Sequence, residues 1–311
     1  MKRKLHIILT TLAIGTLLSS CVWGGPEDGE ENLAISFSEN ITRALKTSFE
    51  VGDSFAVWGA MVDGAESVEI FDGTEVTQVS AGNWTYSPER YWFDGWSYDF
   101  IALHPALSGV TYDIPGKSVA ITDFPTTQGT DLLIAKRTGI NYDPVNPTVA
   151  LQFNHMMSQI SIQGANADDG LEIEVTNIRF VGKAQASYDG TEWTQNGSTA
   201  TLASYTPAAP IALPEAPTYT TLMSDILVVP NAIDSDMRII LTYTVNGAMK
   251  PNRTIPLSAA SLTSLEPGKK YIYKFTLDPA GNIIFERPTV DTWGSIYGGT
   301  FVVDPDPGSN D

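Results

Sequence analysis

Apolar residues in this chain recur at every second position in short runs, with turn residues punctuating the runs. Leu33, Ile35 and Phe37 fall on one face of residues 33–37, and Trp96, Tyr98 and Phe100 on one face of residues 96–103. Alternation returns at 148–153, 159–162, 171–175, 177–181, 191–194 and 198–202. Further strand-like runs lie at 54–58, 67–71, 131–135, 226–229, 237–245, 270–277 and 283–285. Period-two spacing places every second side chain on one face of an extended strand, which is how a half-buried strand reads. No window keeps the i, i+3, i+4, i+7 spacing of an amphipathic helix over three turns. Short strands at regular spacing predict an all-β fold of sandwich type, with any helix confined to short loop elements.

One break stands out in that pattern. Asn141, Pro144, Asn146 and Pro147 cluster between two strand-like runs, removing ladder donors and favouring turns. A boundary here predicts two consecutive β-sandwich domains, residues 33–145 and 146–304, followed by a polar, disordered tail at 305–311. Pro207, Pro210, Pro214 and Pro217 mark an extended loop inside the second.

The first 32 residues do not follow the strand pattern. Lys2, Arg3 and Lys4 precede an apolar stretch from Leu5 to Leu18, and Ser19 and Ser20 precede Cys21. Basic head, apolar middle and small residues make residues 1–20 a signal peptide. A cysteine directly after them predicts lipidation of Cys21. At ~0.8 kcal/mol per buried methylene, several acyl chains on one residue give an essentially permanent anchor. The apolar stretch is shorter than the ~20 residues a spanning helix needs. Residues 21–32 then form an acidic tether, with Glu27, Asp28, Glu30 and Glu31 among glycines and Pro26. The location read from this is a surface-exposed lipoprotein of the cell outer membrane.

Composition narrows the function. The chain carries 18 basic and 36 acidic residues, a net charge of −18, and becomes more acidic once Lys2, Arg3 and Lys4 are removed. Such a surface repels phosphate backbones, so nucleic acid is not a partner. Cys21 is the only cysteine, so no thiol remains for a disulfide, catalysis or metal binding. Of the three histidines, His6 leaves with the signal peptide, and His104 and His155 lack ligand spacing. No Gly-x-Ser-x-Gly elbow, P-loop or dinucleotide fingerprint is present. Asp168-Asp169-Gly170 and Asp234-Ser235-Asp236 read as turns. The chain therefore reads as a structural or binding protein without a cofactor, not as an enzyme. Trp84, Tyr86, Tyr91, Trp92, Phe93 and Trp96 are dense enough to form a glycan-binding platform, although the Trp96, Tyr98, Phe100 alternation favours core packing.

Several motifs appear in a fixed order: Ile41-Thr42-Arg43-Ala44, the run from Phe49 to Trp58, Tyr91-Trp92, the run from Tyr98 to Pro105, Asp131 to Ala135, Leu151 to Ile160, Leu265 to Tyr273, and Val290 to Trp293. Behind the lipidation signal, this series resembles the fimbrillins, the major-pilin-like lipoproteins of Bacteroides-type bacteria (type V pili). The resemblance covers nearly the whole mature chain. It implies two transthyretin-like β-sandwiches and a pilus location. The acidic tether likewise resembles the surface-export signal of such lipoproteins. It further implies that a trypsin-like protease cuts between Arg43 and Ala44, removing the strand that carries Leu33, Ile35 and Phe37. A strand from another pilin subunit, a copy or a paralogue, would then fill the groove, and a host or bacterial surface ligand would be bound. Tyr297, Phe301 and Val303 alternate near the C-terminus and mark the candidate donor strand. The glycan-binding lipoprotein stays as the alternative.

Overall fold

The run Thr148–His155 shows how this chain makes strands. Val149, Leu151, Phe153 and His155 are buried, and the four residues that alternate with them are exposed. The same rule, repeated along the sequence, gives an all-β molecule. The computed structural model describes residues 33–41, 49–167 and 170–293.

The strands in chain order begin with β1 Ser36–Ile41, β2 Ser54–Asp63, β3 Glu66–Ser80, β4 Asn83–Thr85 and β5 Ser97–His104. Next come β6 Val110–Asp113, β7 Ser118–Pro125, β8 Leu133–Asn141, β9 Thr148–His155 and β10 Ser158–Asn166. They continue with β11 Ile173–Tyr188, β12 Trp193–Tyr205, β13 Ile211–Ala212, β14 Thr220–Val228 and β15 Arg238–Val245. The last are β16 Ala248–Met249, β17 Arg253–Pro256, β18 Lys269–Leu277, β19 Ile283–Phe285 and β20 Thr289–Thr292. Among the described residues there is no α-helix, only two short 3-10 turns, and so no helix long and apolar enough to cross a membrane.

Three sheets form. The first runs β1-β9-β8-β5-β2-β3-β4. The second runs β16-β15-β11-β7-β6, with β12 and β13 also paired to β11 and β17 to β15. The third runs β14-β10-β18-β19, with β20 also on β18. The central strands of the first sheet are buried on both faces, as expected where layers cover each side. Phe55, Val57, Tyr98 and Phe100 face one apolar core. Ala56, Trp58, Ile101 and Leu103 face another, which also holds Val119, Ile121, Ala186, Trp193 and Trp293. A third core fills the space between the second and third sheets, around Ile160, Phe180, Leu241, Tyr273 and Phe275.

The pairing runs across the break expected at residue 145. β8 and β9 are antiparallel partners, with Leu133 opposite His155 and Ile134 opposite Asn154. The Asn/Pro segment is thus a connection inside one sheet; the Asp143 carboxylate accepts from the Val145 amide at 2.9 Å and holds the turn. In the other direction β7 crosses over to pair with β11, placing Phe124 opposite Ala186. Turn chemistry is local and says only that the chain reverses, not which sheet it rejoins.

Two more details differ from the sequence reading. The separate runs at 171–175 and 177–181 are one strand, β11, because a register shift between Val175 and Asn177 absorbs the break. The runs at 191–194 and 198–202 likewise merge into β12.

Candidate functional site

The first described segment enters a groove at the edge of the first sheet. At its start, residues 33–35 bridge the loop that precedes β5. The Ile35 amide donates to the Arg90 carbonyl at 2.8 Å, and the Trp92 amide donates to the Leu33 carbonyl at 3.0 Å. β1 then runs parallel to β9, from Ser36 opposite Thr148 to Ile41 opposite Phe153. Ser36 and Thr148 share a hydroxyl hydrogen bond of 2.8 Å. β9 is its only ladder partner among the named strands.

Two side chains fasten this segment inside. Ile35 is 1% exposed and Phe37 5% exposed. Leu33, expected on the same buried face, is 38% exposed: it lies ahead of β1, where the chain is still entering the groove. The Phe37 ring sits among four others, with centroids 5.6 Å from Phe71, 5.8 Å from Tyr86 and Phe100, and 6.2 Å from Phe55. These edge-on contacts are the favoured aromatic geometry. Burying Ile35 and Phe37 is worth ~1.5–3 kcal/mol each. Together that is a substantial part of the ~5–15 kcal/mol that stabilises a whole domain.

The groove wall supplies polar partners. The Tyr86 hydroxyl donates to the Ile35 carbonyl at 2.6 Å. Burial pushes the Tyr86 phenol up to about 12. The Trp84 indole donates to the Glu39 carboxylate. Arg90 does not face the segment with its guanidinium; Nε donates to the Ile70 carbonyl at 2.8 Å and so locks the loop that receives Ile35.

The chain returns at Phe49, which packs on Phe55, Trp84, His104 and Phe153. With its amide nitrogen turned to the carbonyls, Gln78 donates to Phe49 at 3.2 Å and Glu50 at 2.8 Å. Both sides of the 42–48 link are therefore fixed. Arg43 and Ala44 lie in that link, outside the described residues, as do Cys21, Tyr297, Phe301 and Val303.

The aromatic cluster is not a surface platform. Trp92 is 2% exposed and its indole donates to the Pro147 carbonyl at 2.8 Å. Tyr98 and Phe100 are fully buried, and Trp84, Tyr86, Tyr91, Phe93 and Trp96 are half-buried. Apart from Tyr91, whose hydroxyl donates to Glu89 at the surface, their rings pack into the core that Phe37 enters. Sequence density identified the region; only the pairing of residues 33–41 with this wall identifies its use.

His104 Nδ1 meets the Ser54 carbonyl at 2.6 Å. His155 pairs with Asp131 at 2.8 Å and stacks on Trp293, ring centroids 4.1 Å apart, while its Nε2 and the Trp293 indole nitrogen are buried without hydrogen-bond partners. Asp234 accepts from the Asp236 and Met237 amides, a turn cap rather than a ligand pair.

A model of the fimbrillin-like family matches residues 42–293. No curated protein matches the chain. Among solved structures, a fimbrial protein from Bacteroides vulgatus aligns with a TM-score of 0.56 at 16% identity, over 83% of this chain and 99% of that one. A candidate cell adhesion protein from Bacteroides uniformis aligns at 0.53 and 22% identity, over 84% and 99%. Another from Parabacteroides distasonis aligns at 0.54 and 11% identity, over 85% and 98%. The structural likenesses establish the fold, and the family match, which spans nearly all of the described residues, places this chain in the fimbrillin-like family.

Proposed function

We propose that this chain is a structural, non-catalytic pilus subunit that supports adhesion and is delivered to the outer-membrane surface as a lipoprotein through Cys21. A trypsin-like protease cuts between Arg43 and Ala44. Residues 33–41 then leave with the lipid, and a strand from another pilin subunit takes the groove. One observation carries this reading: β1 is an edge strand, held by a single parallel ladder and two buried side chains, and joined to the rest of the sheet through the link that contains Arg43. An emptied groove exposes a row of backbone groups along β9, which templates another strand. The family match begins at residue 42, directly after β1.

The test uses the chain from residue 22, treated with a trypsin-like protease and followed by mass spectrometry and native gels. The first cut falls after Arg43 and multimers appear with the same time course; an Arg43→Ala chain stays uncut there and monomeric. First cleavage elsewhere, with a monomeric product, overturns the reading.

A further inference from the structure

All three sheets contribute to a cleft of about 510 Å³ that strand exchange does not use. Its wall comes from the start of β8, the end of β9, the turn between β11 and β12, and the loops that follow β14 and precede β18. Ligand sites favour such junctions between packed units. Packing and backbone bonds hold the wall in place. The Trp193 ring lies 5.5 Å from Phe124 and 5.2 Å from Tyr188, centroid to centroid. Asn231 Nδ2 donates to the Trp193 carbonyl at 3.1 Å, and the Leu265 amide donates to the Asn231 carbonyl at 2.9 Å. The Glu266 amide donates to the Tyr271 hydroxyl at 2.7 Å, and its carbonyl accepts from the Ser158 hydroxyl at 2.6 Å. His155 lines the cleft with a side chain that is 3% exposed. Asp131 holds its Nδ1 at 2.8 Å and Trp293 covers one ring face. Neither of these partners lines the cleft, so the ring meets it on the side that carries Nε2. A carboxylate on Nδ1 places the proton there, and Nε2 of the neutral ring then presents a lone pair. That nitrogen is buried without a hydrogen-bond partner. The charged residues of the wall are Glu192 and Glu266, both exposed, and among the described residues lining the cleft there is no Lys or Arg.

We infer that this cleft binds an arginine side chain of a partner peptide, its guanidinium held by Glu192 and Glu266 against the Trp193 and Tyr188 rings, with one N–H directed at His155 Nε2. A guanidinium only donates hydrogen bonds, keeps its positive charge and stacks on aromatic faces. It therefore matches the lone pair, the two carboxylates and the rings at once. A lysine ammonium matches the charge but not the planar stack, and a saccharide brings no charge to the carboxylates. The inference goes beyond strand exchange and is independent of it. Met156 and Trp193 of the cleft belong to the core between the first and second sheets, whereas Phe37 belongs to the other core of the first sheet. It gives the adhesion proposed above a ligand chemistry.

The test uses the uncut chain from residue 22, so its outcome leaves the exchange reading untouched. A dye-labelled Gly-Gly-Arg-Gly-Gly peptide is titrated by fluorescence polarisation at an ionic strength of ~0.15 M. Saturable binding is expected, and a citrulline analogue, alike in shape but uncharged, binds about 10-fold more weakly or worse. Glu192→Gln combined with Glu266→Gln weakens capture of the arginine peptide roughly 10- to 100-fold. Glu66→Gln combined with Glu75→Gln, which removes the same charge from β3, leaves capture unchanged. The chain from residue 22 holds two histidines, His104 and His155, so nitrogen NMR of the imidazoles reads the site without a substitution in it. The peptide shifts the His155 ring nitrogens and not those of His104, the two being assigned with a His104→Gln chain. Equal loss in both double variants reduces the binding to general acidic attraction and overturns the inference. So do an unshifted His155 ring, no capture of the peptide, and capture of arrayed glycans in its place.

Discussion

Phe37 is the residue on which the groove turns. Its ring is enclosed by Phe55, Phe71, Tyr86 and Phe100, so truncation leaves a hole that stiff neighbours close poorly. Phe37→Ala in the uncut chain is expected to lower unfolding stability by about 3–5 kcal/mol, read from urea melts. Leu33→Ala, at an exposed position, is expected to change it by less than about 0.5 kcal/mol. Tyr86 adds a pH signature. Its phenol is neutral while it donates to Ile35, and burial holds its folded pKa, about 12, above the ordinary value of 10. The folded state therefore binds the proton more tightly, and the stability this contributes is present below pH 10 and lost as pH rises toward 12. A Tyr86→Phe chain is expected to lose part of the alkaline sensitivity of residues 33–41, measured by hydrogen exchange across that range. At the acidic end, the hydrogen bond from Lys183 holds the Asp236 carboxyl below its ordinary value. That contribution is present above the unfolded carboxylate range and fades as pH falls through it. The aromatic clustering that encloses Phe37 is plain in the sequence, and the alternation of Tyr98 and Phe100 already favoured an inward direction for those two, whereas the density of rings around Trp84 and Tyr86 serves a core and a binding surface equally well.

Among elements, β1 lies at one edge of its sheet beside the single partner β9, as β4 lies at the other edge beside β3. Its existence was legible from the alternation at 33–37, and its parallel pairing to β9 was not, since the two lie more than a hundred positions apart. The strands that escaped the pattern have physical disguises. β7 carries Asp123 at a φ of 54° and ends on Pro125, which break the period that Val119, Ile121 and Phe124 otherwise keep. β11 looks like two strands until its register shift is seen. Close approach matters inside the sheet as well. A Cβ added at Gly59 of β2 would lie 2.8 Å from Phe100 Cδ1 and 3.2 Å from the Asp99 carbonyl. Gly59→Ala is therefore expected to cost about 1–3 kcal/mol through displacement of Phe100, one wall of the Phe37 box. Calorimetry checks the stability, and β1 release rises with it.

For the molecule as a whole, all-β architecture followed from strand spacing, while the division at residue 145 did not describe the sheets. β9 completes the sheet that holds β1, β5 and β8, and β7 completes the one that holds β11. A fragment of residues 33–145 lacks β9, the ladder partner of β1, and leaves β6 and β7 without β11. Such a fragment is expected to show no cooperative unfolding transition by circular dichroism, whereas the chain from residue 22 unfolds in one. A net charge of −18 makes copies of the chain repel one another at long range, so the assembly proposed here calls for a specific, local contact. A strand seated in a groove meets that need without requiring a large complementary face.

The most direct measurement of the central claim is a reversible staple. Ser36 and Thr148 already touch through their hydroxyls at 2.8 Å, so Ser36→Cys with Thr148→Cys joins β1 to β9 covalently. After cleavage of the link, the oxidised chain should remain monomeric on a native gel, and multimers should form on adding reductant. Multimers that form with the staple closed would contradict the account, as would a cleaved and reduced chain that never assembles.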